Sequence, residues 1–285
     1  MQKLLVICGP TVTGKTKLAL HLTKVFNGEI ISADSRQVYK YMDIGTGKDK
    51  PEGIEINGYD LVNPDEEFSV SQYADFANAC IREINSRGKV PILVGGTGLY
   101  IKGVVDGINT ADVPKDEKLR VKLNGLKIED LREKLKTIDS KKIGSMNDSD
   151  INNPRRLIRA IEVASSGKIS ERKDMSYDVL FIGLRLSREK LAERIAKRVD
   201  DRINQGFDME IDFLKKKDFF RYAPARTLGY KDWPDIEKWK REEIKYAKRQ
   251  MTWFKKDKRI KWFDIETNDY KQKVEDIVQK WYSLS

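Results

Sequence analysis

The chain is poor in the residues that usually signal redox or metal chemistry. Its 285 residues include two cysteines and one histidine, and no apolar run is long enough to cross a bilayer. Cys8 and Cys80 stand alone, without metal-ligand spacing, so neither a disulfide framework nor a zinc site is expected and both are read as packing residues. His21 follows a glycine-rich loop on a helical stretch, where a lone histidine is structural, and it is given no catalytic role. The N-terminal apolar run is too short for a secretion signal, so the cytoplasm is expected and a membrane partner is not. Internal repeats and low-complexity tails are missing as well. What is present is a globular composition, 39% hydrophobic and 35% charged, long enough for one large domain or two modest ones.

The net charge of +10 is unevenly divided. Residues 1–112 carry 12 Lys and Arg against 14 Asp and Glu, whereas residues 113–285 carry 43 against 31. A charge count alone fits a solvated surface. A split this lopsided, on a chain that also binds phosphate, favours a polyanionic partner.

The phosphate site is carried by Gly9-Pro10-Thr11-Val12-Thr13-Gly14-Lys15-Thr16, a Gly-x-x-x-x-Gly-Lys-Thr loop. It follows the apolar run Leu4-Leu5-Val6-Ile7-Cys8 and precedes a helical pattern beginning at Lys17. Strand, loop and helix in that order let backbone N–H groups converge on anionic oxygens at the positive end of a helix dipole. Lys15 supplies a point charge for the outermost phosphate and the Thr16 hydroxyl a ligand for Mg2+.

Further strands are expected at residues 29–33, 90–94, 179–184 and 260–263, and helices at 71–87 and 189–205. Near-continuous apolar strands alternating with helices predict a doubly wound α/β core with a parallel sheet, of the P-loop NTPase-like kind. Between Asp112 and Ser176 the pattern is helical only, at 117–126, 129–137 and 154–165. The expected organisation is a core of residues 1–112 and 177–285 with a helical insertion domain at 113–176.

Two polar motifs fall at strand ends, where ligands of open α/β sheets bind. One is Ser32-Ala33-Asp34-Ser35-Arg36-Gln37-Val38-Tyr39, continuing into Met42-Asp43-Ile44-Gly45-Thr46-Gly47-Lys48; the other is Gly95-Gly96-Thr97-Gly98-Leu99-Tyr100. An aspartate after a strand is ordinarily a turn or cap residue. At the sheet end that carries the phosphate loop, Asp34 becomes a catalytic candidate. The strand ending at Val94 runs into Gly95 rather than the aspartate of a typical ATPase, which leaves a kinase open.

Together these motifs resemble those of the tRNA dimethylallyltransferases. So do 154–163 (Pro-Arg-Arg-Leu-Ile-Arg-Ala-Ile-Glu-Val), Arg226-Thr227-Leu228-Gly229-Tyr230 and Lys248-Arg249-Gln250-Met251-Thr252-Trp253-Phe254, all in the family's order. The resemblance implies transfer of a dimethylallyl group from dimethylallyl diphosphate to the exocyclic N6 amine of the adenosine 3′ of the anticodon in tRNA, with diphosphate released. It implies that the loop residues Gly9, Thr11, Val12, Thr13, Gly14, Lys15 and Thr16 hold the diphosphate, that Thr16 binds Mg2+, and that Arg226 contacts the diphosphate. Asp34 would be the general base. Contacts to the tRNA anticodon stem-loop would come from Asp34, Ser35, Arg36, Gln37 and Thr97, and from Arg120, Arg155, Arg156, Arg159 and Lys231. On a helix Arg155 and Arg159 share a face with Arg156 beside them, a cationic stripe. Trp253 and Trp262 lie in apolar patterns, and structural roles are expected for them rather than base stacking.

The chain departs from the family at Val12-Thr13, where Ala-Ser is usual, and at Gly47, where Ala is common. Asn152-Asn153-Pro154 replaces Asn-Asp-Pro, and Arg155 replaces a common Gln. No zinc-finger extension like that of eukaryotic relatives is present, so a bacterial-type enzyme is implied; a monomer is expected. The rival readings are an enzyme that prenylates free adenylate, a P-loop kinase, and an RNA-binding protein with a vestigial loop. The first needs no helical insertion or large basic surface, the second lacks a nucleoside-pocket signature, and the third is opposed by intact Lys15, Thr16, Asp34 and Arg226.

Overall fold

Leu4 to Cys8 are fully buried, because the strand that holds them runs down the middle of a sheet covered on both faces. The computed structural model describes residues 1–108, 110, 113–167 and 177–283. In chain order the elements are β1 (Gln2–Cys8), α1 (Lys15–Phe26), β2 (Gly28–Ser32), β3 (Ile56–Asn57), α2 (Val70–Ser86), β4 (Val90–Gly95) and α3 (Gly98–Asp106). There follow α4 (Glu117–Asn124), α5 (Ile128–Ile138), α6 (Ser140–Ser145), α7 (Asp148–Ile151) and α8 (Pro154–Ser165). The chain then forms β5 (Tyr177–Arg185), α9 (Arg188–Asn204), α10 (Phe207–Lys216), α11 (Ile236–Phe254), β6 (Lys261–Asp264) and α12 (Tyr270–Ser283).

The six strands form one all-parallel sheet in the order β3-β2-β4-β1-β5-β6. Val6 lies opposite Leu93 on one side and Phe181 on the other, so β1 is central and the loop after it opens at the carboxyl edge. This is the expected P-loop NTPase-like core. Ile7, Leu18, Leu22, Ile30, Ile92 and Ile182 pack into one apolar cluster between the sheet and α1. The five expected strands are all found, with ends moved by a residue or two. Two-residue β3 was not expected; Ile56 and Asn57 pair with Ile30 and Ile31 over too short a stretch to show a period.

Contacts divide the chain into two compact units, Met1–Asp106 with Met175–Ser285, and Gly107–Asp174. The expected domain edges at Asp112 and Ser176 lie outside the described residues. The smaller unit has its own core of Leu123, Leu131, Leu135, Leu157, Ile158 and Ile161. Its described residues form helices alone, including α6 and α7, which are too short for a helical period to register. Asn153 caps α8 by accepting from the Arg156 N–H at 3.3 Å, with Pro154 in the first turn, so it does there what a capping Asp would do.

Candidate active site

Helix α1 begins without a side-chain cap. Its N-cap is Gly14 in the left-handed region (φ 76°), and its first turn carries no acidic residue. The first N–H groups therefore remain available to an anion. Val12, a β-branched residue, is also held at positive φ (59°), strain of the kind that concentrates at functional sites. The Thr13 hydroxyl donates to the Pro10 carbonyl at 2.9 Å, and Lys15 Nζ donates to the same carbonyl at 2.6 Å. Burial lowers the Lys15 pKa to about 8; the Asp34 carboxylate opposes this and the Arg198 guanidinium adds to it.

Thr11, Val12, Gly14, Lys15 and Thr16 line a cavity of about 540 Å3 together with Asp34, Arg36 and Gln37. Two motifs far apart in sequence thus share one space. Asp34 accepts from the Arg36 N–H at 3.0 Å, and the Arg36 guanidinium lies 3.8 Å from the same carboxylate oxygen. Burial works against the Arg36 charge, but Asp34 and neighbouring groups hold its pKa above the ordinary value. The guanidinium also lies 5.2 Å above the Tyr246 ring. Thr97 Oγ1 accepts from the Ser35 N–H at 3.0 Å, and the Thr97 N–H donates to the Ala33 carbonyl. The Gly95–Gly98 turn thus braces the Asp34 turn.

Helix α11 ties these loops together. Gln250 accepts from the Thr11 N–H at 2.9 Å and donates to the Gly96 carbonyl at 2.9 Å. One buried amide joins the phosphate loop to the glycine turn. From α9, Arg198 donates to the Thr11 hydroxyl and, at 2.7 Å, to Glu243. Arg202 meets the other Glu243 oxygen at 3.2 Å. Glu243 is fully buried. Burial alone would raise its pKa, but Arg198 and Arg202 bring it down to about 2. One carboxylate between two guanidiniums leaves positive charge facing the cavity.

The expected site residues are not all brought to the cavity. Arg226 does not line the cavity; it is exposed on the short 3-10 turn Pro224–Arg226, and Lys231 is likewise exposed nearby. The arginine that meets a loop side chain is Arg198, with Arg194 nearby at the Val12 carbonyl (3.4 Å), and the motif reading missed it. Its signal was the repeat of Arg194, Arg198 and Arg202 at four-residue spacing, one face of a helix. Arg36 is buried, lines the same cavity and is oriented on Asp34.

The expected cationic stripe on α8 is reduced. Glu162, itself buried, takes a two-pronged contact from Arg120 (2.5 and 2.8 Å) and a third from Arg159 (3.1 Å). Arg159 also donates to the Thr110 and Val113 carbonyls. Arg155 and Arg156 are exposed, with Arg156 paired to Asp150. Trp253 is 45% exposed, while Gln250 and Phe254 are the buried members of its motif. Trp262 is half-buried on β6.

For a divalent cation the fit is partial but sound. Among the described residues no cluster of three His, Cys, Asp or Glu side chains could hold a metal. Mg2+, however, commonly binds through one or two protein oxygens, water and substrate phosphates. The Thr16 hydroxyl, beside the anion-facing loop, suits that arrangement.

Comparison with known proteins places the chain among similar sequences and folds. A family model described as IPP transferase matches residues 37–257, and one described as isopentenyl transferase matches residues 2–60. A tRNA dimethylallyltransferase from Acetivibrio thermocellus is 41% identical over 96% of this chain and 95% of its own length. One from Finegoldia magna is 40% identical over 98% and 95%. Among solved structures, a tRNA isopentenylpyrophosphate transferase from Bacillus halodurans has a TM-score of 0.74 at 35% identity, covering 99% of this chain and 97% of its own. A eukaryotic dimethylallyltransferase acting on tRNA has a TM-score of 0.84 at 27% identity, covering 97% and 78%.

Proposed function

The chain belongs to the tRNA dimethylallyltransferase family, and from that premise we propose how its own residues carry out the transfer. It is a prenyltransferase that modifies tRNA. The observation that carries the mechanism is the single cavity shared by the phosphate loop and Asp34.

The donor is dimethylallyl diphosphate, its diphosphate seated on the N–H groups of residues 12–16, the Thr11 N–H being held by Gln250. The acceptor is the N6 amine of the adenosine 3′ of the anticodon. That amine is a weak nucleophile because its lone pair is delocalised into the ring. Asp34 accepts its proton as the bond from N6 to C1 of the donor forms and the C1–O bond to diphosphate breaks. The leaving diphosphate carries growing negative charge, which Lys15 and Arg198 neutralise. Arg36 and the Thr97–Ser35 contacts hold Asp34 in place. Mg2+ on Thr16 and the phosphates would supply further charge neutralisation when bound.

The target base leaves the anticodon-loop stack to reach the cavity. Residues 113–176 serve as an insertion domain, and its exposed Arg155 and Arg156 contribute to tRNA binding. We place the enzyme in the cytoplasm with its substrate and read it as a monomer. No helix among the described residues is long and apolar enough to cross a membrane.

The test is nucleoside mass spectrometry of unmodified tRNA incubated with protein, Mg2+ and dimethylallyl diphosphate, with AMP as a parallel acceptor. A prenyl mass gain on adenosine from tRNA alone is expected. A gain on AMP alone would make this a free-nucleotide enzyme, and ATP turnover without either product would make it a kinase.

A further inference from the structure

Tyr41 stands in the loop that joins the Asp34 turn to the cavity wall at Asp43 and Ile44, and its conformation is unfavourable. Its φ is 65°, in the left-handed region that bulky side chains rarely adopt, yet its ring is 46% exposed. The strain does not serve burial. The ring stacks instead on Phe219, with centroids 5.9 Å apart and planes 15° apart, and leans on Phe213 at 5.4 Å. Phe213 is 38% exposed and Met209, one turn earlier on α10, is 68% exposed.

The patch is firmly mounted. Glu210 on the same helix accepts from the N–H groups of Asp43, Ile44 and Gly45 at 2.8, 2.7 and 3.0 Å, and from the Tyr230 hydroxyl at 2.6 Å. The loop bearing Tyr41 is thereby clamped to α10, and its next residues, Asp43 and Ile44, line the cavity of Asp34 and Lys15. Around the patch the charge is mixed, with Asp212 and Asp218 exposed among the lysines. Lys215, Lys216 and Lys217 follow Phe213, with Lys215 drawn toward Asp212 and lying 5.8 Å over the Phe220 ring, while Lys216 and Lys217 are exposed.

We propose that Tyr41, backed by Phe219 and Phe213, is a stacking platform for an unpaired nucleobase of the tRNA anticodon loop next to the base that enters the cavity, with Lys216 and Lys217 facing its phosphates. The proposal rests on the tRNA acceptor named above. Its chemistry is that of single-strand recognition: an aromatic face offered to a base, beside cations offered to the backbone. Continuity with the cavity wall and the exposed Lys216 and Lys217 select RNA over an apolar protein partner.

Tyr41→Gly is the decisive variant, because glycine accepts φ near 65° freely. Binding is read by fluorescence anisotropy of a labelled anticodon stem-loop, and turnover by steady-state prenyl transfer. For Tyr41→Gly, Kd and KM for RNA should rise about tenfold, with KM for dimethylallyl diphosphate unchanged and no fall in melting temperature; Tyr41→Phe should behave as wild type. Unchanged RNA affinity in Tyr41→Gly would overturn the proposal. So would a lower melting temperature accompanied by weaker donor binding, which would make Tyr41 a packing residue, or a wild-type dimer that Tyr41→Gly dissolves. A wild-type protein that prenylates no tRNA would overturn the functional reading itself. Normal wild-type turnover with an equally active Tyr41→Gly removes the platform alone.

Discussion

At the scale of single residues, the site depends on charges whose partners are unequal in number. Asp34 has Arg36 against it, but its place in the cavity leaves it facing the phosphate loop. Asp34→Asn keeps the shape and removes the proton acceptor, so kcat should fall by about 10²- to 10⁴-fold with tRNA affinity retained, as single-turnover assays and anisotropy would report. Lys15 has a pKa lowered to about 8. Between that value and the ordinary 10.5 the unfolded chain binds more protons than the folded one. The group's contribution to stability therefore rises with pH across that window, and the penalty is fully present below it. A bound diphosphate supplies the missing counter-charge and raises the pKa again. Donor binding at pH 8 should take up a fraction of a proton, seen by calorimetry in buffers of different ionisation enthalpy, and Lys15→Met should abolish the uptake. Gly47 shows how tightly the wall is drawn: a Cβ there would lie 2.6 Å from Arg202 Nη2, at a φ of 65°. The alanine common in the family would force that guanidinium to move.

At the scale of elements, α9 and α11 act as a pair. Helix α11 supplies Glu243 and Gln250, while α9 supplies Arg198 and Arg202. Arg198→Met should raise KM for dimethylallyl diphosphate roughly tenfold or more, the loss of one charge-assisted contact, while Arg226→Ala should leave it unchanged. Initial-rate kinetics on both variants decide which arginine serves the donor. On α8, Glu162 gathers Arg120 and Arg159, and its pKa lies below the ordinary glutamate value: burial pushes it up, but hydrogen bonds from the two arginines more than offset this. That stabilisation is present above the ordinary value of 4.5 and is lost as the pH falls through the lowered one. Glu162→Gln, which leaves two guanidiniums short of a partner, should destabilise the smaller unit by about 3 kcal/mol. Faster hydrogen exchange across residues 117–165 would register it, with the sheet unaffected.

At the scale of the whole molecule, the excess of basic residues lies in 113–285, which span the insertion and the second part of the core. Affinity for tRNA should therefore fall steeply with salt, with log K linear in log salt concentration, while KM for the small donor shifts far less. Filter binding between low and physiological salt checks this, and a flat response would remove tRNA phosphates as the reason for the charge.

The phosphate loop, the five longer strands and the Asp34 and Gly95–Gly98 turns are legible in the sequence, because each is written in neighbouring residues: a glycine pair, an apolar run, a polar cluster after a strand. The family motifs are equally local, and their order along the chain is itself informative. Other features needed the fold. That Arg198 rather than Arg226 meets Thr11 depends on how α9 crosses the sheet edge, with 187 residues separating the partners. Glu162 turns two expected RNA contacts into internal ties because α4 and α8 pack together, a pairing no periodicity encodes. Trp253 lies outside the core although its motif looks apolar, since Gln250 takes the buried position one turn before it. Local sequence sets backbone conformation and period; long-range packing decides which charges meet, and with them which arginines line the cavity.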